Sequence, residues 1–173
     1  DAGATHLTHL FNAMPPLKHR NPGVIGAASE RDFVTAELIC DGLHVHPSAV
    51  RAAFKMFPGR ICMISDALRC LGMPDGEYDL GGQKVFLAGG VARLEDQTIA
   101  GAASDLYTNL LNVLSYGISP EEAVTAATLT PAREIGREND IGSIRKGKLA
   151  DFIICDDNFI RKEVYIGGER IQS

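Results

Sequence analysis

The sequence has little of what marks a protein that binds nucleic acid or crosses a membrane. No run of consecutive Lys or Arg is longer than two residues, and the net charge is -5 with a pI of about 5.5. Such a balance argues against a basic groove for nucleic acid and against an anionic membrane surface as a partner. No apolar run in the chain approaches the roughly 18 residues that a membrane-spanning helix needs. We therefore expect neither nucleic acid nor a membrane as a partner.

Cysteine is also sparse. Cys40, Cys62, Cys70 and Cys155 are scattered without the CxxC spacing of a paired motif. This usage predicts reduced, mostly buried thiols in a cytoplasmic protein. The 173 residues are 45% hydrophobic and 23% charged, which is globular composition and enough for an ordinary core. The chain begins at Asp1, without an initiating Met or a signal peptide and close to a strand pattern, so we expect it to be a piece of a longer protein.

A strand pattern that runs into a proline-containing loop lies near the amino end. Residues 4–9 alternate as the two faces of a strand do, and 12–16 (NAMPP) end the strand because proline donates no ladder hydrogen bond. His9 therefore lies where a strand gives way to a loop, with Asn12 just beyond it and Arg20 further out. This arrangement predicts a metal ligand beside a polar substrate that could carry phosphate. The alternative is a buried histidine that is hydrogen-bonded in a core.

The same pattern recurs twice. Residues 33–40 and 60–65 read as strands, and each runs into a polar loop, the first holding His44 and the second beginning at Asp66. Because active sites of parallel α/β sheets and barrels collect at the carboxyl ends of strands, His9, His44 and Asp66 are predicted to share one edge. The alternative is that all of these are ordinary polar loop residues.

The remaining chain changes character twice. Glycines divide residues 70–100 into short β-prone pieces, which predict hairpins laid over the site as a candidate lid. Ser104 is predicted to cap a helix over 105–116, and Ser119 a second helix that starts at Pro120.

A shift in composition near residue 140 marks a second, all-β region. We therefore divide the chain into 1–139 and 140–173. The second region offers too few strands to form a stable sheet by itself.

At these motifs the chain resembles the N-acetylglucosamine-6-phosphate deacetylase family of the amidohydrolase superfamily. The resemblance rests on segments 8–15, 41–45, 65–67, 101–106 and 127–133, and on the tail 142–151. The tail identifies only the superfamily. The stretches THLFNAMPP and DGLHVH are far more specific, and the segments stand in the expected order over essentially the whole chain.

The resemblance implies an α/β fold, the carboxyl-terminal part of a (β/α)8 TIM-type barrel with a short segment of the accompanying β-sandwich. On that reading 1–139 holds the last three barrel strands, the hairpin insertion and the terminal helices, and 140–173 is the sandwich segment. The family's metal-binding Glu and a further metal-binding His would belong to strands that precede this chain. His6 is not assigned that role, because the alternation puts it on the strand face opposite His9.

The resemblance also implies roles for the residues around the first strand. His9 corresponds to a metal ligand, and the cofactor implied is a divalent metal, zinc before iron or another ion. Asn12 and Ala13 correspond to positions that hold the sugar phosphate. Arg20 corresponds to a phosphate-binding arginine that reaches into a neighbouring subunit.

The later segments contribute the implied catalytic pair. His44 corresponds to a catalytic histidine that also orients the substrate, and Asp66 to the catalytic carboxylate. Ala102 and Ala103 correspond to a loop that closes over the sugar, where a small polar residue is commoner than Ala102.

The function implied is removal of the acetyl group from N-acetylglucosamine-6-phosphate, which yields glucosamine-6-phosphate and acetate. A catalytic zinc needs about three protein ligands, so we expect this chain to be inactive alone. We also expect a homodimer or association with the missing half, because half a barrel leaves open sheet edges. The alternatives are a non-catalytic remnant that needs a companion chain, and another amidohydrolase that acts on a cyclic amide or amine. Arg20 with Asn12 and Ala13 argues against the latter, since such substrates carry no phosphate.

Overall fold

A three-stranded parallel sheet positions the candidate residues. The structure is a computed structural model, and it describes residues 2–171. The strands and the two helices that connect them are β1 (His6–Leu7), α1 (Gly23–Ser29), β2 (Thr35–Ile39), α2 (Pro47–Met56) and β3 (Ile61–Ile64). The sheet order is β1-β2-β3 and both pairings are parallel, which confirms the parallel α/β sheet expected from the sequence.

The two faces of this sheet differ sharply. Leu38 and Met63, which pair across β2 and β3, are buried in the main core together with Val50 of α2. Glu37 and Cys62, the neighbouring pair, point to the other face because successive side chains of a strand alternate. The helix-facing side is therefore apolar, and the opposite side carries a carboxylate and a thiol, which are ionisable groups.

Helix α2 begins with an unusual cap. The Nδ1 atom of His46 accepts a hydrogen bond from the backbone N–H of Ser48 at 3.2 Å, and Pro47 takes the first helical position. His46 and His19 are both exposed, as expected of surface histidines.

A four-stranded antiparallel sheet follows in simple consecutive order. Its strands are β4 (Gly76–Leu80), β5 (Gln83–Ala88), β6 (Val91–Arg93) and β7 (Ile99–Gly101). Val85, Leu87 and Ala92 form a small core of their own with Cys70. The predicted hairpins are thus confirmed, whereas their role as a lid stays a prediction.

Three helices follow this sheet along the chain, and they are α3 (Leu106–Ser115), α4 (Pro120–Ala127) and α5 (Leu129–Glu134). The prediction that Ser104 caps α3 is wrong. The carboxylate of Asp105 accepts from Thr108 N at 2.7 Å, while the Ser104 hydroxyl donates to Oδ1 of Asn109 at 3.0 Å. The cap of α4 is confirmed, since Ser119 Oγ accepts from the N–H of Glu122. None of the helices within residues 2–171 has the length and apolar character needed to cross a membrane.

The carboxyl-terminal region is a three-stranded antiparallel sheet. Its strands are β8 (Phe152–Cys155), β9 (Arg161–Ile166) and β10 (Glu169–Ile171), in the order β10-β9-β8. The Tyr107 hydroxyl of α3 donates to the carbonyl of Phe159 at 2.7 Å and so ties this sheet to the helices. Residue 1 of the first predicted region and residues 172 and 173 of the second lie outside the described residues. The division at residue 140 stays a prediction.

The thiols follow the expectation for reduced cysteines. Cys40, Cys62 and Cys70 are buried, Cys155 is exposed, and all of them are free. Burial, with the nearby Asp41 carboxylate, raises the pKa of Cys40 to about 12, so this thiol stays protonated and unreactive.

Candidate active site

His9, His44 and Asp66 lie beyond the carboxyl ends of β1, β2 and β3, respectively. The strands are hydrogen-bonded neighbours and parallel, so all of these residues belong to one edge of one sheet. Within residues 2–171 no hydrogen bond or ion pair joins their side chains directly. Their convergence on one substrate therefore stays a prediction.

The loop after β1 holds backbone strain. His9, Phe11 and Ala13 have φ values of 33°, 74° and 52°, in the left-handed region that non-glycine residues rarely adopt. Each such residue costs about 1–3 kcal/mol, and such residues cluster at functional sites. Because β1 ends at Leu7, the strand predicted to reach His9 is too long. His9 therefore lies outside β1, and the alternation of strand faces does not set its orientation relative to His6.

His9 is fixed through its backbone while its ring keeps a free nitrogen. Its N–H donates to Oε2 of Glu37 at 3.2 Å, and its carbonyl accepts from the N–H of Asn12 at 2.9 Å. Its Nδ1 is buried and has no hydrogen-bond partner among the described residues. A buried imidazole nitrogen without a partner fits a metal ligand. In residues 2–171, however, no group of three or more His, Cys, Asp or Glu could hold a metal ion. The described residues thus offer His9 as a candidate ligand but no complete ligand set.

The ring of His44 is held by Asp41. Its Nδ1 lies 2.7 Å from Oδ2 of Asp41, and the backbone N–H groups of Leu43 and His44 both donate to Oδ1 at 2.9 Å. Burial alone would raise the pKa of Asp41, but these hydrogen bonds outweigh it and the pKa is lowered. The Asp41 side chain is 2% exposed. Asp41 therefore orients the ring and leaves Nε2 without a hydrogen-bond partner among the residues that the structure describes.

Sequence reasoning did not assign Asp41 a role, although a signal was present. Asp followed by Gly is typical of a turn in which the carboxylate accepts from the N–H groups two and three residues on. Gly42 has a φ of 79°, and a Cβ at this position would lie 2.8 Å from Oη of Tyr116. Glycine at position 42 is thus needed for the turn that places the ring of His44 against the Asp41 carboxylate.

Asp66 follows β3 and is hydrogen-bonded to the loop that precedes α3. Its φ is 50°, and its carbonyl accepts from the N–H of Ala102 at 3.0 Å. The carbonyl of Ala102 in turn accepts from Leu68 N at 2.9 Å. Ala102 is 1% exposed, so its methyl is not presented to a ligand, whereas Ala103 is half-buried against the core of the four-stranded sheet. The structure brings Ala102 next to Asp66, whereas contact of this loop with a sugar stays a prediction.

The residues predicted to hold phosphate are spread along the first loop. The amide nitrogen of Asn12 donates to the carbonyl of Leu10 at 3.2 Å, so this side chain stabilises the strained loop. Ala13 is exposed beside it. Arg20 is exposed in a turn closed by backbone hydrogen bonds between Lys18 and Asn21. In the part of the chain that the structure describes, Arg20 forms no ion pair. Its guanidinium is free to meet an anion.

A second group of charged residues, around His6, was not predicted from the sequence. The ring of His6 bridges two carboxylates, with Nε2 at 2.9 Å from Glu37 Oε1 and Nδ1 at 2.7 Å from Glu134 Oε2. Burial acts to lower the pKa of His6, but the two carboxylates overcome it and the pKa is raised. Burial and the same carboxylates raise the pKa of the nearby Cys62 to about 11.

Comparison with known proteins identifies the family. Residues 2–171 match the description "Amidohydrolase family". This chain belongs to the amidohydrolase family. The resemblance to the amidohydrolase superfamily that its motifs indicated is thereby confirmed.

Several relatives of this amidohydrolase chain carry the names of sugar phosphate deacetylases. It is 38% identical over 170 residues to N-acetylgalactosamine-6-phosphate deacetylase of Escherichia coli O157:H7, covering 98% of this chain and 45% of that protein. It is 36% identical over 162 residues to a putative N-acetylgalactosamine-6-phosphate deacetylase of Escherichia coli K12, covering 93% of this chain and 97% of that protein. The amidohydrolase chain thus spans under half of the first relative and nearly all of the second.

A solved structure agrees with the fold of the amidohydrolase chain. N-acetyl-D-glucosamine-6-phosphate deacetylase from Mycobacterium smegmatis, a mutant in complex with N-acetyl-D-glucosamine-6-phosphate, superposes with a TM-score of 0.91 at 36% identity. The match covers 98% of this chain and 46% of that one. The mixed α/β architecture is therefore shared with deacetylases of known structure.

Proposed function

We propose that this chain is the carboxyl-terminal part of an N-acetylglucosamine-6-phosphate deacetylase. In this proposal β1, β2 and β3 are the last three strands of a (β/α)8 barrel, and 140–173 is a segment of the accompanying β-sandwich. The observation that carries the proposal is the placement of His9, His44 and Asp66 at the ends of three adjacent parallel strands. The names of the relatives and of the solved structure support it.

Asp66 and His44 carry the proposed acid–base chemistry. Asp66 accepts a proton from the attacking water and then delivers it to the departing amine. His44 stabilises the negative charge that grows on the amide carbonyl oxygen by donating from Nε2. The Asp41 carboxylate lies 2.7 Å from Nδ1 and so holds the ring with Nε2 directed away from Asp41.

His9 is the ligand that this chain would give to a divalent metal, for which zinc is our first choice. When bound with a full ligand set, such an ion lowers the pKa of its water to about 7 and polarises the carbonyl. The missing ligands would come from outside the described residues, because these contain no three-residue site. We therefore expect this chain alone to be inactive.

The remaining assignments concern binding and assembly. Arg20, with Asn12 and Ala13, holds the dianionic phosphate by charge-assisted hydrogen bonds and so lends binding energy to orientation. The loop that holds Ala102 and Ala103 closes over the sugar. A homodimer, or a companion chain that supplies the other half, would cover the open edge of β1, and the free, mostly buried thiols favour a cytoplasmic location.

A second candidate substrate is N-acetylgalactosamine-6-phosphate. It differs from the first in the configuration of one hydroxyl, so the same chemistry applies. Both Escherichia coli relatives described above carry this substrate in their names, which is the observation that favours it.

Release of acetate tests the proposal. We would assay both sugar phosphates with this chain alone and with the product of the whole reading frame that contains it, each with and without added zinc. We expect turnover by the whole-frame product, loss of turnover in its Asp66→Asn variant, and no turnover by the chain alone. Asp157→Asn, at an exposed site, is the control.

Robust turnover by the chain alone would contradict the need for outside ligands. Failure of the whole-frame product on both substrates would contradict the function.

A further inference from the structure

One carboxylate links the two histidines at the start of the sheet. Oε1 of Glu37 lies 2.9 Å from Nε2 of His6, and Oε2 accepts from the backbone N–H of His9 at 3.2 Å. The Glu37 side chain is 23% exposed. Each oxygen of this carboxylate therefore has a separate donor, one from a side chain and one from the main chain.

The far side of His6 is anchored as well. Its Nδ1 lies 2.7 Å from Oε2 of Glu134, at the last position of α5. Both ring nitrogens thus face carboxylate oxygens, and ionised carboxylates only accept hydrogen bonds, so both nitrogens must donate. The result is a continuous chain of contacts from α5 through His6 and Glu37 to the backbone of His9.

The end of this chain of contacts is the strained residue. His9 has a φ of 33°, which costs free energy and persists only where neighbouring groups hold it. The direction of the His9 ring depends on that backbone conformation. Hydrogen bonds behind a ligand commonly set its orientation, and their loss costs about 10–100-fold in metal affinity.

We propose that Glu37 is a positioning residue for His9, and that His6 and Glu134 keep its carboxylate in place. The proposal rests on the ligand role of His9 proposed above. A glutamine at this site has nearly the same shape but only one acceptor oxygen. It satisfies either the His6 ring or the His9 N–H and presents an N–H2 group to the other donor.

The first test examines the His9 backbone in this chain, independently of any activity. Hydrogen exchange of the His9 amide is measured by NMR in the wild type, in Glu37→Gln and in Glu134→Gln. Glu77→Gln is the matched control, because Glu77 pairs with Lys84 on the exposed face of another sheet. We expect exchange at His9 to accelerate about 10-fold or more in Glu37→Gln, to accelerate less in Glu134→Gln, and to stay unchanged in Glu77→Gln. Unchanged exchange at His9 in Glu37→Gln would overturn the proposal.

The second test asks whether the position of the ring matters to metal. Zinc is titrated into the whole-frame product, and the 15N shifts of the His9 ring and the zinc concentration for half-maximal response are recorded. We expect Glu37→Gln to need about 10-fold more zinc and Glu37→Asp, which keeps both acceptors, to recover part of the loss. An identical zinc response in wild type and Glu37→Gln would overturn the proposal. If the wild-type whole-frame product showed no deacetylase activity, the proposed function would fail. The hydrogen-exchange and zinc measurements would still test the positioning role of Glu37.

Discussion

The Nδ1 atom of His44 lies 2.7 Å from Oδ2 of Asp41, and both side chains are nearly inaccessible to solvent. The same carboxylate also caps the turn that carries the histidine, through the N–H groups of Leu43 and His44. One residue thus sets both the backbone and the ring of the predicted catalytic histidine. This pairing gives the site a sensitivity to acid that can be measured without substrate.

The first prediction concerns Asp41 and low pH. Its pKa in the folded chain is below the ordinary value of 3.8, so its contribution to stability is present above that value and is lost as pH falls through the lowered pKa. We expect Asp41→Asn to be less stable than wild type at pH 6 and to show a smaller fall in stability below pH 4. Urea unfolding at several pH values measures this, with Asp157→Asn as an exposed control. Parallel stability curves for wild type and Asp41→Asn would contradict the prediction.

The ends of the inner strands could be predicted from the sequence because polarity changes abruptly there. The strand predicted over 60–65 is observed as Ile61–Ile64, and the one over 33–40 as Thr35–Ile39. The first predicted strand was too long, because the alternation of side chains does not reveal the left-handed backbone at His9. The contact of His6 with Glu134 joins residues 128 positions apart. Periodicity carries no information about such a pairing, so the network behind His9 could not be predicted from the sequence.

The second prediction concerns His6 and alkaline pH. The groups that face it are the carboxylates of Glu37 on β2 and Glu134 on α5, and the Cys62 thiol on β3 lies close to both. The pKa of His6 is raised above 6.5, so its contribution to stability is complete below that value and is lost as pH rises through the raised pKa. The Cys62 pKa of about 11 keeps that thiol from titrating in the same range.

We therefore expect the stability of the wild type to fall as pH rises from 6 to 9, and that of His6→Gln to fall less. Thermal unfolding across this range measures the difference. His46→Gln is the matched control, because His46 is exposed and its ring caps α2. A wild type whose stability is flat over this range, or a His6→Gln variant with the same slope, would count against the prediction.

The third prediction concerns Arg60, which ties α1, α2 and the start of β2 together. Its guanidinium lies 5.0 Å from the centre of the Phe57 ring. Its two terminal nitrogens donate to the carbonyls of Arg31 at 2.8 Å, Val34 at 2.7 Å, Ser29 at 3.1 Å and Met56 at 3.4 Å. A lysine has its donors on a single nitrogen, which does not reproduce the planar fork of a guanidinium. We expect Arg60→Lys to lose about 2–4 kcal/mol, since hydrogen bonds from charged groups are worth about 1.5–3 kcal/mol each.

Urea denaturation at constant pH measures this loss. The matched control is Arg51→Lys, because the exposed guanidinium of Arg51 donates to the hydroxyl of Ser48 at 3.0 Å and to no other group among the described residues. That variant should stay within about 0.5 kcal/mol of wild type. Equal losses in the two variants would show that the carbonyl contacts of Arg60 add nothing specific.

The last prediction concerns Asn109, which closes the carboxyl end of β3. It is fully buried, its amide nitrogen donates to the carbonyl of Ile64 at 3.1 Å, and its Oδ1 accepts from Ser104. Removing the amide leaves the Ile64 carbonyl without this donor, and an unsatisfied buried group costs about 1–3 kcal/mol. We expect Asn109→Ala to lower the free energy of unfolding by at least that amount, because a small cavity adds to the loss. Asn158→Ala, at an exposed position, should change it by less than about 0.5 kcal/mol.

The carbonyl of Ile64 stands two residues before Asp66, so the same substitution bears on the site. Hydrogen exchange of amides near the end of β3 should speed up in Asn109→Ala and stay unchanged in Asn158→Ala. If Asn109→Ala unfolds at the same urea concentration as wild type and exchange at β3 is unaltered, then the asparagine does not hold this strand end. The position of Asp66 would in that case depend on its backbone contact with Ala102 at 3.0 Å, because that hydrogen bond ties the same strand end to the loop before α3.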